Sequence, residues 1–181
     1  MIFSLFRRSP ERDTISILYG MIVAQARLPV FYRDYAVADT INGRFDLVVL
    51  HLALVLDRMT ENGVLNAAGQ ALFDHFCRDM DDNLREMGIS DLKVPKEMKV
   101  MGQAFYGRSR AYLEALGNRR ALVAALARNI YGGAPSAVQA APRLADYIVA
   151  AVGDLKAQDL EAIVEGRLHF PGPAKVPVPI A

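Results

Sequence analysis

Four side chains of the types that bind metal ions share one stripe of a predicted helix. They are His75, Asp79, Asp82 and Glu86. The stripe is about 16 Å long at ~1.5 Å per residue, so one ion could contact only a neighbouring pair. The sequence also lacks the Glu-x-x-His pairs of di-iron helical bundles. We therefore favour a solvated or salt-bridged acidic face, and we predict no metal and no other cofactor.

No nucleophile of the sequence has a base at a recognisable spacing. Cys77 is the sole cysteine, and neighbours such as Asp79 would raise the pKa of its thiol. The Gly-x-Ser-x-Gly elbow, the Gly-x-Gly-x-x-Gly fingerprint and the Walker loop are absent. His51 lies in an almost wholly apolar segment, which favours a hydrogen-bonded core histidine. We therefore predict a binding protein without catalytic residues, not an enzyme.

Charge is balanced over the whole chain but segregated locally. The formal net charge is +1, which gives no global field to attract DNA, RNA or an anionic bilayer, and we expect no DNA partner. Residues 79–91 hold five acidic side chains against one arginine, whereas residues 93–120 hold seven basic side chains against two acidic ones. Two explanations stay open. Either two helices pair their charges across a bundle, or the basic stretch faces an acidic partner, ribosomal RNA or lipid head groups.

The elements that position these side chains are predicted to be helices. Apolar periodicity, proline starts and glycine stops predict an all-α, single globular domain of six to seven helices. The predicted helices cover 14–27, 44–61, 66–87, 95–116, 119–130, 136–152 and 155–166, and 29–43 is read as a short helical turn and a loop. Asn62-Gly63 is interpreted as a helix stop. The predicted organisation is an apolar and basic segment (1–13), the helical domain (14–168) and an extended proline-rich arm (169–181).

The sequence carries weak indications of the cellular compartment. A lone cysteine fits a reducing environment, and the N-terminal segment Met1–Arg8 has the wrong order of apolar and basic residues for a signal peptide. The most apolar run, 45–56, is shorter than the ~20 residues that span a bilayer. We therefore expect a cytoplasmic protein, with peripheral association at the cytoplasmic face of the inner membrane left open. These features also leave open a membrane-surface helical interaction protein that has no client protein.

Discontinuous motifs in fixed order carry a family resemblance. Downstream they are Asp79-Met80-Asp81, Leu84-Arg85-Glu86-Met87-Gly88, Asp91-Leu92, Val94-Pro95-Lys96, Met98-Lys99, Phe105-Tyr106-Gly107-Arg108 and Ala111-Tyr112. Upstream they are Phe31-Tyr32, Asp39-Thr40, Gly43-Arg44-Phe45 and Leu50-His51. Over roughly 19–116 the sequence resembles the ubiquinol–cytochrome c chaperone family, and it is similar to the short proteobacterial members because no mitochondrial-type presequence is evident.

The resemblance implies an assembly chaperone that binds newly made cytochrome b and promotes assembly of the ubiquinol–cytochrome c reductase (bc1) complex. It also implies a ribosome or a small partner protein as further partners. Seven methionines offer adaptable apolar surface, although methionine at helical spacing is more often core. The candidate partner-binding residues are Asp79, Asp82, Arg85, Glu86, Lys96, Lys99, Phe105, Tyr106, Arg108 and Tyr112. Arg85, Lys99 and Arg108 are the first positions that we would reverse in charge.

Overall fold

The protein is built from helices, as the periodicity predicts. A computed structural model describes residues 10–175. The α-helices are α1 (Pro10–Ala26), α2 (Pro29–Arg33), α3 (Ile41–Arg58), α4 (Ala67–Glu86), α5 (Val94–Ala115), α6 (Arg119–Asn129), α7 (Ala137–Ala157) and α8 (Leu160–Val164). A two-stranded hairpin joins β1 (Thr60–Glu61) to β2 (Val64–Leu65), and a 3-10 turn covers Pro173–Lys175. The predicted all-α class is confirmed.

The first helix begins earlier than predicted and ends where predicted. α1 includes Pro10, the first described residue, and so reaches back at least four residues before the expected start. The predicted segment 1–13 therefore ends inside α1, and residues 1–9 lie outside the described residues. The break at Leu28-Pro29 is confirmed, since α2 begins with that proline.

The stretch 13–33 has the length and the mean hydropathy, 1.4, of a membrane-crossing helix. The helix is interrupted between α1 and α2, however, and the side chains of Leu18, Ile22 and Phe31 are fully buried in the folded domain. Packing against the rest of the core therefore accounts for these apolar side chains.

The predicted helix stop at Asn62-Gly63 is wrong. α3 ends at Arg58, and the dipeptide forms the two-residue turn of the hairpin, with Thr60 opposite Leu65. Both turn residues have positive φ, 52° and 78°, which is the backbone of a type I′ turn that Asn-Gly favours. The dipeptide signalled a hairpin, and the very short strands on either side carried no alternating pattern.

α3 is the central helix, as its dense Leu and Val pattern predicts. Every residue from Asp46 to Leu56 is buried, and α1, α4, α5 and α7 all pack against it. A helix that is apolar on nearly all sides must be covered on nearly all sides. The other elements are therefore arranged around α3.

His51 is a hydrogen-bonded core histidine, as predicted. It is fully buried, and its Nδ1 lies 2.8 Å from the Leu47 carbonyl oxygen. Because a carbonyl only accepts, Nδ1 carries the proton, and Nε2 accepts from the Tyr147 hydroxyl at 2.9 Å. The Gln25 amide donates to the same hydroxyl at 2.9 Å. The side chains of three helices are thus joined in one buried chain of hydrogen bonds.

The two C-terminal helices differ from their predicted limits. α7 continues past 152 to Ala157, and α8 occupies only Leu160–Val164. The break falls at Asp159, whose carboxylate caps α8 by accepting from the Glu161 N–H at 3.2 Å. Gly153 remains inside α7 because glycine weakens a helix without ending it.

The proline-rich arm packs against the domain. The ring of Phe170 meets that of His51 edge-on at 5.2 Å, and the Tyr35 hydroxyl donates to the Pro173 carbonyl oxygen at 2.7 Å. The arm then makes the 3-10 turn at Pro173–Lys175, where an extended chain was predicted. The rest of the predicted arm, 176–181, lies outside the described residues.

Candidate partner-binding surface

The predicted site residues lie on a helical hairpin formed by α4, a short connection and α5. Gly88, at φ +82°, ends α4 by donating to the Arg85 carbonyl at 2.9 Å, and the Ile89 N–H donates to the Leu84 carbonyl at 3.1 Å. These two hydrogen bonds are those of a Schellman cap, which requires the left-handed conformation that glycine adopts freely. The predicted sequence of acidic helix, connection and basic helix is confirmed.

Aromatic packing fixes α5 against α4. The Phe105 ring centroid lies 5.2 Å from that of Phe73 and 5.4 Å from that of Phe76, and Phe105 is buried. Its neighbour Tyr106 also reaches Phe73, at 5.8 Å, but is 63% exposed. Of this predicted pair, Phe105 is a core residue, and only Tyr106 offers an aromatic face to a partner.

A second pair of predicted residues is engaged with α3. Tyr112 is fully buried, and burial raises the pKa of its hydroxyl well above the usual value. Arg108 is half-buried and forms an ion pair with Asp46, with Nη2 3.0 Å from Oδ1. Burial raises the pKa of Asp46 to about 6, against the attraction of Arg108, which lowers it. In this conformation Tyr112 is not available to a partner, and Arg108 is partly used inside the fold.

The acidic stripe of α4 lies partly against α1. The Asp79 carboxylate accepts a hydrogen bond from the Tyr19 hydroxyl at 2.7 Å, and the Tyr19 ring lies 5.0 Å from the ring of His75. No group of three or more potential metal ligands occurs among residues 10–175. Asp82 and Glu86, further along the stripe, are exposed. The stripe is therefore a helix-packing edge at one end and a solvated carboxylate face at the other.

The charges of α4 and α5 do not pair with each other. Arg85 binds Asp81 one turn earlier, at 2.6 Å, and Asp91 in the connection. Within the described part of the chain, no ion pair joins α4 to α5, and neither Lys96 nor Lys99 has an acidic partner. The charges of the acidic and basic stretches therefore do not pair with each other, although Arg108 and Arg119 of the basic stretch pair with Asp46 and Asp146 of other helices.

Exposed apolar side chains accompany these free charges, and the sequence analysis named only Tyr106 among them as a candidate partner-binding residue. They are Met87 (56% exposed), Leu92 (94%) and Val100 (53%), together with Tyr106. Leu92 lies between Asp91 and Lys93 in the connection between α4 and α5. Because its side chain is almost fully exposed, packing in the core does not explain an apolar residue at this position. We call the exposed side chains of Asp82, Glu86, Met87, Leu92, Lys96, Lys99, Val100 and Tyr106 the hairpin surface.

Three comparisons relate the chain to known proteins. The sequence profile of the ubiquinol–cytochrome c chaperone family matches residues 33–170. The ubiquinol-cytochrome-c reductase complex assembly factor 1 of Xenopus laevis is 27% identical over 118 residues, which is 62% of this chain and 58% of the frog protein. The chain thus spans less than two thirds of that relative.

A solved structure agrees over the whole fold. The crystal structure of the Cbp3 homolog from Brucella abortus is similar with a TM-score of 0.83 and 36% identity, and the match covers 98% of this chain and 100% of that one. The profile match includes α3 to α8, and the structural match extends the agreement to nearly every residue. The resemblance read from the motifs is confirmed, and the chain belongs to the ubiquinol–cytochrome c chaperone family.

Proposed function

We propose that this protein is an assembly chaperone of the ubiquinol–cytochrome c reductase that holds newly made cytochrome b on the hairpin surface. Family membership supports the chaperone role. One observation supports the choice of the hairpin surface as the binding site. Exposed apolar side chains occur there together with lysines that have no acidic partner among the described residues. Exposed apolar groups grouped with polar ones are typical of protein-binding surfaces.

The hairpin surface suits a membrane-protein client before it is fully assembled. Met87, Leu92 and Val100 can cover apolar side chains of the client, and Met87 adapts its shape because its side chain is unbranched. Lys96 and Lys99 would pair with acidic groups of the client's loops, while Asp82 and Glu86 would meet basic ones. We place the protein in the cytoplasm, at the cytoplasmic face of the inner membrane, where such a client emerges.

Site-specific crosslinking tests the client and the surface together. A photoreactive residue at Leu92, in cells that make cytochrome b, is expected to give a covalent adduct with cytochrome b. The same residue at Val138, which is 77% exposed on α7, is the matched control and is expected to give none. Adducts only with ribosomal proteins, with a small partner protein or with lipid would contradict the proposed client site.

Charge reversal tests whether the hairpin surface acts in assembly. In a deletion strain, Lys99→Glu is expected to lower the amount of assembled bc1 complex several-fold, because a repulsive contact replaces an attractive one. Lys156→Glu, an exposed position on α7, is the charge-matched control. Arg85 and Arg108 are poorer choices than the sequence suggested, because both already form ion pairs with residues of this chain. Equal bc1 levels in both variant strains would contradict the proposed surface.

A further inference from the structure

The molecule has a second polar region, remote in sequence from the hairpin surface, at the corner where α1, α2 and α3 meet. A cleft of about 490 Å³ is lined there by Arg27, Pro29, Tyr32, Arg33, Asp39 and Arg44. Its volume lies within the range of small-ligand sites. We propose that this arginine cleft binds a phosphodiester group, and the proposal does not depend on the chaperone role.

Three guanidinium groups approach the cleft, and one of them has no acidic partner. Arg33 forms a hydrogen-bonded ion pair with Asp34, and Arg44 donates to Asp39 from Nε at 2.7 Å. Arg27 makes no ion pair with any residue between 10 and 175. Arg27, Arg33 and Arg44 carry three positive charges, and Asp34 and Asp39 carry two negative ones. One positive charge is left in excess, which matches the single negative charge of a phosphodiester.

The cleft combines arginine hydrogen-bond donors with a partly apolar wall formed by Pro29 and Tyr32. The hydrogen bond from Arg44 to Asp39 uses Nε, so the Nη groups of Arg44 make no hydrogen bond to a described residue. The Tyr32 hydroxyl donates to the Ala26 carbonyl at 2.9 Å, which fixes the phenol ring at the side of the cleft. Burial raises the pKa of Tyr32, while the charges of Arg44 and Arg27 act to lower it. Arginine donors match the oxygens of a phosphate group in geometry.

Backbone packing holds Arg44 at the cleft. Thr40 caps α3 by accepting from the Gly43 N–H at 3.1 Å, and a Cβ at Gly43 would lie 2.0 Å from the Ala38 carbonyl oxygen. Only glycine fits this position, so the chain before α3 closes tightly onto its first turn. Three cleft residues, Tyr32, Asp39 and Arg44, belong to the upstream motifs of the family resemblance, and the hairpin surface makes no use of them.

Titration followed by amide NMR tests the proposal on the full chain. The probes are dimethyl phosphate, a phosphodiester without tails, and dihexanoyl phosphatidylglycerol below its critical micelle concentration, both at constant ionic strength. Saturable shifts are expected at the amides of residues 39–44. Tighter binding of the lipid would identify a head group as the natural ligand, and equal affinities would identify a soluble diester. No saturable shift at these amides with either probe would overturn the proposal.

Substitutions at Arg27 distinguish binding at the arginine cleft from nonspecific electrostatic attraction to the protein. Arg27→Gln is expected to weaken binding about tenfold or more, since a charge-assisted pair is lost. Arg27→Lys is expected to weaken it less, because lysine keeps the charge but loses the planar fork. Arg110→Gln, at an exposed arginine of α5 outside the cleft, is the control and should bind like the wild type. If Arg27→Gln and Arg110→Gln bind equally well, the cleft is not the binding site.

Discussion

Two titratable side chains on α3 respond to acid in opposite directions. Complete burial lowers the pKa of His51 from 6.5 to about 4, so the unfolded chain binds more protons in that window and stability falls as pH falls. Burial raises the pKa of Asp46 from 3.8 to about 6, so the folded chain binds more protons there and stability rises as pH falls. Between pH 7 and pH 5 the two contributions oppose each other, at ~2 and ~1 kcal/mol.

Removing Asp46 should therefore expose the response of His51. We expect Asp46→Asn to lose ~1 kcal/mol more of its free energy of unfolding than the wild type between pH 7 and pH 5. The measurement is urea unfolding of each protein at both values. Asp57→Asn, at an exposed aspartate of the same helix, is the control and should follow the wild type. Parallel losses in all three proteins would show that Asp46 does not offset His51.

At the scale of the elements, Gly43 is the position where the start of α3 depends on the absence of a side chain. Gly43→Ala would bring a methyl group against a backbone carbonyl, so we expect a loss of ~2 kcal/mol or more. Gly20→Ala is the matched control, because nothing lies within 4 Å of a Cβ at that exposed position of α1. It should gain roughly 0.5–1 kcal/mol from better helix propensity. Thermal unfolding compares the two, and equal changes would contradict the close approach.

Helix ends were largely predictable because their signals are local. The stop at Gly88 and the proline start of α2 each depend on one or two residues. Asn62-Gly63 was misread because a helix stop and a hairpin turn use the same left-handed backbone.

The charges of the candidate site could be predicted from the sequence, but the burial of its residues only in part. Net charge of a segment can be counted, whereas the pairing of Arg108 with Asp46 joins helices distant in the chain. The burial of Phe105 and Tyr112 did have a signal, since both fall on the apolar stripe of α5. The exposure of Leu92 had no signal in the sequence other than its charged neighbours.

For the molecule as a whole, the C-terminal arm completes the core. Phe170 packs on His51, and the Pro171 carbonyl accepts from Gln25 at 3.3 Å. We expect Phe170→Ala to lower the free energy of unfolding by ~1–3 kcal/mol, as for a partly buried aromatic side chain. Val138→Ala, at an exposed position, should change it by less than ~0.5 kcal/mol. Urea unfolding measures both, and a Phe170→Ala protein as stable as the control would show that the arm adds nothing to the core.

The hydrogen-bond chain through His51 also bears on the order of folding. Its links connect residues 96, 122 and 146 positions apart, which is a long separation for a helical protein whose other contacts are mostly local. We expect such contacts to form late, because the loop they close is entropically costly before other contacts compensate for it. Weakening this network should therefore leave the folding rate nearly unchanged and speed up unfolding. In kinetic terms, the buried histidine and its partners would slow unfolding without changing the rate of folding.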